Sequence, residues 1–273
     1  MAERADNKLV ELGLAKSRER AKALIMEGVV FLDGVRVMKP SDTVKNGQTL
    51  SIKEDPIPFV SRGGLKLEKA VKNYNIDLSG KLCLDVGAST GGFTDCMLMH
   101  GARKVYAVDV GYGQLDWKLR SDERVVCMER HNARLMEPSW FNELPTFASC
   151  DVSFISIKLI LPRMLEVLEA GGEAVVLVKP QFEAGRSKIG KNGVVRERST
   201  HIEVLDEAAR FALETGFSIK AVDYSPITGP KGNIEFLLYL KKPPLGSVEC
   251  IDEAQLSCIA ESIVQAAHSE LNN

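Results

Sequence analysis

The run Cys83-Leu84-Asp85-Val86-Gly87-Ala88-Ser89-Thr90-Gly91-Gly92-Phe93 is an apolar strand that ends in an acid and opens into a loop of small residues. Phe93-Thr94-Asp95-Cys96-Met97-Leu98 then reads as the start of a helix. A strand–loop–helix join of this kind brings backbone N–H groups close to a ligand and suggests a nucleotide-like cofactor. A dinucleotide loop wants G-x-G-x-x-G, and serine stands here in place of the middle glycine. A phosphate loop is excluded, because no lysine follows Gly92. The pattern acidic-x-G-x-[GS]-x-G of an S-adenosyl-L-methionine site is met by Asp85, Gly87, Ser89 and Gly91, with Thr90, Gly92 and Phe93 completing the loop. An acid at the strand end can receive the ammonium of a methionine moiety, a cation that a dinucleotide lacks. Asp109 ends the next strand and can accept hydrogen bonds from ribose hydroxyls of either ligand. Glu129-Arg130-His131-Asn132 follows the third strand, which puts Asn132 near an adenine; ordinary turn residues would read the same way.

Three further strand ends carry reactive groups. Cys150-Asp151-Val152-Ser153 ends one strand in an acid, Val175-Val176-Leu177-Val178-Lys179-Pro180 ends another in a lysine, and Gly232-Asn233-Ile234-Glu235 puts an acid at the start of the last. In a doubly wound sheet the carboxyl ends of parallel strands face one crevice, and an antiparallel strand begins at that edge. Asp151, Lys179 and Glu235 are therefore expected to converge. A lysine flanked by two acids can hold a weak oxygen nucleophile and stabilise the negative charge that develops on it.

The elements that position these groups follow from periodicity. Strands are expected at 81–86, 104–110, 124–129, 147–153, 173–179, 217–224 and 234–241, and helices at 63–74, 92–100, 113–120, 156–169 and 200–215. The alternation predicts a mostly parallel, doubly wound α/β sheet. The short join Pro226-Ile-Thr-Gly-Pro-Lys-Gly predicts an antiparallel hairpin at the sheet edge. Residues 1–55 read as a small α+β domain of their own. In it Leu9, Leu12 and Leu14 have helical spacing, Ser17 caps a second helix, Gly28 ends that helix, and Asp33-Gly34 turns a hairpin. Residues 56–60 are a linker by charge and proline, 61–242 form the α/β domain, and 243–273 form an acidic tail. Within that tail a helix is expected at 252–268, with Ala254, Leu256, Ile259, Ile263 and Val264 facing inward.

With these motifs in view, the chain resembles the TlyA (haemolysin A) family, which joins an S4 RNA-binding domain to an FtsJ-like methyltransferase. The matching residues are Arg4-x-Asp6-x-x-Leu9, Ser17-Arg18-x-x-Ala21, Gly28-Val29-Val30, Lys39-Pro40-Ser41, Ser61-Arg62-Gly63-Gly64-Leu65-Lys66-Leu67, the Asp85–Asp95 run, Ala107-Val108-Asp109-Val110-Gly111, Asp151-Val152-Ser153-Phe154, Val178-Lys179-Pro180-Gln181-Phe182-Glu183 and Gly232-Asn233-Ile234-Glu235-Phe236. They run from residue 4 to residue 236. The resemblance implies a Rossmann-like S-adenosyl-L-methionine methyltransferase fold with a seven-stranded sheet whose last strand is antiparallel. It implies a Lys-Asp-Lys-Glu tetrad that falls on Lys66, Asp151, Lys179 and Glu235. It also implies ribosomal RNA or a ribosomal subunit as partner, and the 2′-hydroxyl of a cytidine ribose, in 16S and/or 23S rRNA, as methyl acceptor.

Charge agrees with a polyanion partner. The net charge is −2, but residues 243–273 hold five acids and no Lys or Arg, which leaves the rest of the chain net basic. Basic residues cluster in three stretches: Arg4, Lys8, Lys16, Arg18, Arg20 and Lys22; Arg62 to Lys72; and Arg186, Lys188, Lys191, Arg196 and Arg198. Aromatics are sparse there, so recognition by shape and phosphate is expected to outweigh stacking. Scattered cysteines and histidines argue against a metal site and for reduced, cytoplasmic thiols. No signal peptide or membrane-length apolar run is present. Rival readings are an NAD-dependent oxidoreductase, which gives Asp151, Lys179 and Glu235 no role, a membrane-acting haemolysin, and a non-catalytic RNA-binding protein.

Overall fold

The computed structural model describes residues 3–15, 17–52, 57–244 and 253–271. Lys16, Glu249, Cys250, Asp252 and the first linker residue lie outside them, as do the side chains of Lys191 and Ala254. The chain divides into two compact units, Met1–Pro58 and Phe59–Asn273.

The first unit contains β1 (Glu3–Arg4), α1 (Ala5–Glu11), α2 (Arg18–Glu27), β2 (Val30–Leu32), β3 (Val35–Arg36), β4 (Thr43–Val44) and β5 (Leu50–Ile52). Ser17 Oγ accepts a hydrogen bond from the Arg20 amide at 3.1 Å and caps α2. Gly28 closes the helix in the left-handed region. Asp33 and Gly34 both have positive φ, as the tight turn between β2 and β3 requires. Leu9, Ala21, Ile25, Val30 and Val44 share the core. Leu12 and Leu14 depart from their expected helical role. The helix stops at Glu11, Gly13 turns the chain at φ +70°, and both leucines are exposed while Ala15 enters the core.

The second unit contains α3 (Gly63–Asn73), β6 (Leu82–Val86), α4 (Gly92–Met99), β7 (Lys104–Asp109), α5 (Trp117–Arg120), β8 (Val125–Glu129), β9 (Phe147–Cys150), α6 (Leu161–Val167), β10 (Glu173–Val178), α7 (Pro180–Glu183), α8 (Arg198–Thr215), β11 (Ser218–Tyr224), β12 (Phe236–Lys241) and α9 (Glu253–Leu271). The sheet order is β11-β12-β10-β9-β6-β7-β8. Strands β6 to β10 pair in parallel, and β12 runs antiparallel to both β10 and β11. The hairpin is thus at the edge as expected, with the last strand, β12, inserted between β10 and β11 and β11 at the edge. Burial explains the order: β12 is apolar almost throughout and buried except at Lys241, whereas β11 carries the exposed Lys220.

Two expected helices are shorter than their periodicity suggests. The 113–120 segment is helical only as α5, because Asp116 caps it by accepting from the Lys118 amide. The 156–169 segment begins as a Ser156-capped 3-10 turn and becomes α6 only at Leu161. Helix α9 packs on α8 and β11, so this part of the acidic tail belongs to the α/β core. Leu256, Ala260, Val264 and Ala267 bury its inner stripe, with Ile259 and Ile263 partly buried beside them.

Candidate active site

The glycine-rich loop and the end of β9 are in direct contact. Gly87 has φ +83°, and a Cβ placed there would stand 2.8 Å from the Asp151 carbonyl oxygen, so only glycine fits. A second close approach joins the starts of α3 and α4: a Cβ on Gly92 would lie 2.4 Å from Ser61 Oγ and 2.8 Å from the Gly64 amide nitrogen. That packing fixes the first turn of α3, which carries Lys66, beside the loop. The Asp109 carboxylate accepts from the Ser89 amide at 2.8 Å and the Gly111 amide at 2.6 Å, and so ties the loop to the turn after β7.

Lys66, Asp151, Lys179 and Glu235 meet in one ion chain. Lys179 Nζ pairs with Asp151 and donates to Ser153 Oγ at 2.9 Å. Lys66 Nζ lies 3.6 Å from the other Asp151 oxygen and 2.6 Å from Glu235 Oε2. Glu235 Oε1 accepts from Gln181 Nε2 at 3.2 Å. This corrects the expected arrangement: the two acids do not flank Lys179. Asp151 bridges both lysines, and Glu235 belongs to Lys66.

Lys66, Lys179 and Glu235 are buried, and Asp151 is partly so. Burial opposes the charged form of Lys66, but Asp151 and Glu235 outweigh it and raise its pKa. Burial likewise pushes the Asp151 carboxyl upward, and the two lysines overcome this and hold it below its ordinary value.

A cavity of about 540 Å³ joins this ion chain to the glycine-rich loop. All four tetrad candidates line it, and so do Gly87, Ser89, Thr90, Gly92 and Phe93. Asp85, Gly91, Asp109 and Asn132 do not. Gly91 serves as the left-handed cap of α4, and Asn132 accepts from the Arg134 amide and caps a 3-10 turn. Asp85 departs furthest from expectation. Its carboxyl is fully buried and is held by Thr94 Oγ1 at 2.7 Å and Ser149 Oγ at 3.1 Å, so it does not face a ligand ammonium. Burial pushes its pKa up to about 7, against the pull of the Thr94 and Ser149 hydroxyls.

A family model described as FtsJ-like methyltransferase matches residues 59–242, and one described as S4 domain matches residues 3–50. The chain belongs to the FtsJ-like methyltransferase family. It is 51% identical over 245 residues to the Bacillus subtilis (strain 168) protein described as "Putative rRNA methyltransferase YqxC", covering 89% of this chain and 87% of that one. It is 43% identical over 239 residues to the "16S/23S rRNA (cytidine-2'-O)-methyltransferase TlyA" of Mycobacterium tuberculosis (strain ATCC 25618 / H37Rv), covering 87% and 89% of the two chains. Among solved structures, "Putative hemolysin from Streptococcus thermophilus" superposes with a TM-score of 0.79 at 48% identity, covering 99% of this chain and 97% of the other.

This FtsJ-like chain brings to its cavity several residues that spacing did not single out. Ser153, Phe154, Gln181 and Phe182 line it, each within three residues of Asp151 or Lys179. Phe154 is 88% exposed and has φ +68°, an uncommon conformation for a bulky residue. Its ring stands 5.2 Å from that of Phe182. An aromatic pair, outside the basic stretches, therefore rims the cavity. The signal was present in the Asp-Val-Ser-Phe and Lys-Pro-Gln-Phe motifs.

The basic residues are less free than their count implies. Arg4 and Arg18 both grip Asp6, which is fully buried and held well below the usual carboxylate range, first by its hydrogen bonds from Arg4. Lys8 pairs with Glu11 and Glu3, Lys188 with Glu203, Lys69 with Asp223 and Lys72 with Glu68. Lys22 is exposed, Arg20 follows Ser17 on α2, Arg62 immediately precedes α3, and Arg186 begins a 3-10 turn after α7.

Proposed function

We propose that this chain methylates the ribose 2′-hydroxyl of a cytidine in 16S and/or 23S ribosomal RNA, with S-adenosyl-L-methionine as methyl donor. The observation that carries the reading is one cavity lined by both the glycine-rich loop and the Lys66–Asp151–Lys179–Glu235 ion chain. The names of the relatives supply the acceptor. The cofactor fits the residues present: Gly87, Ser89, Thr90, Gly92 and Phe93 of the small-residue loop line the cavity, which has room for a nucleoside. Gly87, Ser89, Thr90, Gly92 and Phe93 would hold it, with Gly91 shaping the loop as the cap of α4, Asp109 and Asn132 toward the ribose and adenine, and Asp85 supporting the loop from behind. When bound, S-adenosyl-L-methionine supplies an electrophilic methyl group.

The protein's part is alignment and charge. Lys179 Nζ, fixed by Asp151 and Ser153, presents positive charge where the 2′ oxygen becomes negative. Lys66, itself held by Glu235, braces Asp151 from the other side, so that Lys179 cannot drift from the acceptor. Phe154 and Phe182 offer ring faces to a base turned out of its stack. The S4 unit, through Arg4, Lys8, Arg18, Arg20 and Lys22, with Lys16 outside the described residues, would grip structured RNA. Arg62, Arg186, Lys188 and Lys191 would meet it beside the cavity. An oxidoreductase reading still gives the ion chain no work. Among the described residues no helix is long and apolar enough to cross a membrane, so a pore-forming reading lacks its helical inserting element.

The test is a map of rRNA 2′-O-methylation in a deletion strain. One or more cytidine marks should vanish and return with the wild-type gene but not with Lys179→Ala. An unchanged map would refute the reading.

A further inference from the structure

The turn between β11 and β12 reaches the cavity with a cation that neither the tetrad nor the basic stretches include. Five charged residues line the cavity: Lys66, Asp151, Lys179, Glu235 and Lys231. Two lysines and two carboxylates are locked to one another and cancel. Lys231 is exposed, and among the described residues it has no ion pair or hydrogen bond. It is therefore the cavity's uncompensated charge.

Its position is built. The Gly229 amide donates to the Asn233 carbonyl and the Gly232 amide to the Gly229 carbonyl, both at 2.8 Å, which closes a tight turn around Lys231. That turn rests on the tetrad, since a Cβ on Gly229 would stand 2.8 Å from Glu235 Oε1. Asn233 is buried and its carboxamide spans to the facing loop: Oδ1 accepts from the Val195 amide, and Nδ2 donates to the Gly193 carbonyl, each at 3.0 Å. Lys231 Nζ lies over Gly193, 3.8 Å from where its Cβ would be. Ile189 and Gly193 of that loop also line the cavity.

The chemistry of the acceptor demands such a group. A ribose 2′ oxygen sits on the carbon next to the one that bears the 3′-phosphate. A 2′-hydroxyl cannot reach Lys179 without bringing a phosphodiester charge within a few ångströms of it. The self-neutralised tetrad offers that charge no counterion. We propose that Lys231 takes the phosphate adjoining the methylated ribose, and that Asn233 is a positioning residue that locks the two loops which present it. This rests on the RNA 2′-hydroxyl reading above.

The experiment measures methyl transfer from tritiated S-adenosyl-L-methionine to unmethylated rRNA across a salt series, for the wild type, Lys231→Met, Lys231→Arg and Asn233→Ala. Lys220→Met removes the same charge from β11 as a control. Lys231→Met should raise the KM for RNA about tenfold and flatten the log–log salt slope by about one, with unchanged affinity for the cofactor by calorimetry. Lys231→Arg should restore both, and Asn233→Ala should raise the KM even though Lys231 is intact. An active wild type whose KM and salt slope survive Lys231→Met would overturn this inference alone, as would an equal loss in Lys220→Met or a fall in cofactor affinity. A wild type that transfers no methyl group to rRNA would take down the inference and the underlying reading together.

Discussion

Asp85→Asn separates two accounts of the acid beneath the cofactor loop. The side chain is fully buried, and its pKa stands at about 7 against 3.8 for an ordinary aspartate. Its folded-state pKa is raised, so the native state binds more protons than the unfolded state between those values. Stability is therefore lost as pH rises from about 4 to about 7, and the penalty is constant above that. At about 1.4 kcal/mol per unit, the penalty grows by roughly 2–3 kcal/mol between pH 5 and pH 8. Asparagine carries no titratable charge and removes it. Whatever Asp85→Asn costs in its hydrogen bonds to Thr94 and Ser149 is the same at both pH values and cancels. The variant should thus gain roughly 2–3 kcal/mol relative to wild type on going from pH 5 to pH 8. Both tryptophans, Trp117 and Trp140, lie in the α/β unit, so urea unfolding followed by their fluorescence reads the relevant transition. A wild-type-to-variant gap that is independent of pH, or that widens against the variant at pH 8, would refute the buried-acid account. Cofactor affinity is the second readout. A shielded carboxyl predicts less than about a threefold change, whereas direct contact with the ligand ammonium predicts a loss of about tenfold or more for one charge-assisted bond.

Lys66→Met leaves the buried Glu235 carboxylate with a hydrogen bond from Gln181 and no cation, which should cost about 3–5 kcal/mol in thermal unfolding. Lys66→Met/Glu235→Met should recover most of that stability yet still transfer no methyl group; recovery of activity would remove both residues from the chemistry. Gly87→Ala forces a Cβ against the Asp151 carbonyl at positive φ, so calorimetry should show at least about tenfold weaker cofactor binding, with about 1–2 kcal/mol lost from the fold. Phe154→Gly removes an exposed ring from a left-handed backbone position and should melt no lower than wild type. Its RNA methylation should fall about tenfold if the ring stacks on a base, and unchanged kinetics would exclude that contact.

The alternation of apolar runs and small-residue turns made the sheet legible, because the central strands β6, β9 and β10 are almost wholly buried segments whose partner pattern follows from parallel winding. The inserted position of β12 was signalled only by composition, since β12 is apolar almost throughout whereas β11 carries Lys220 and Asp223, and strand periodicity alone does not assign the edge. At the site, Gly87 and Lys179 stood out for a local reason: a glycine where a loop leaves a strand, and a lysine at the end of a buried run. Lys66 lay among other helix lysines, and nothing in its spacing sets it apart from Lys69. What separates them is the Gly64–Gly92 approach that fixes the start of α3, a contact between segments that sequence periodicity does not contain. For the same reason, the basic stretches overstate free charge. Arg4, Lys8 and Arg18 are counted in sequence as cations, and folding supplies each with an acid.

The strand-end acids of β6, β7 and β8 share a role that none of them reveals singly. Asp85 holds Thr94 of α4 and Ser149 of β9. Asp109 holds the amide of Ser89, in the loop after β6. Glu129 holds the amides of Gln114 and Leu115, after β7, and pairs with Arg120, whose hydrogen bond brings its pKa to about 2. The carboxylates that end β7 and β8 thus each fasten the loop of the preceding strand. The floor of the crevice is fixed before any ligand arrives, and little ordering entropy remains to be spent on binding. An acid at a strand end reads as a ligand contact because it faces the crevice. In this fold its first partners are the amides and hydroxyls that hold the crevice in shape, and a ligand meets the loop they have set.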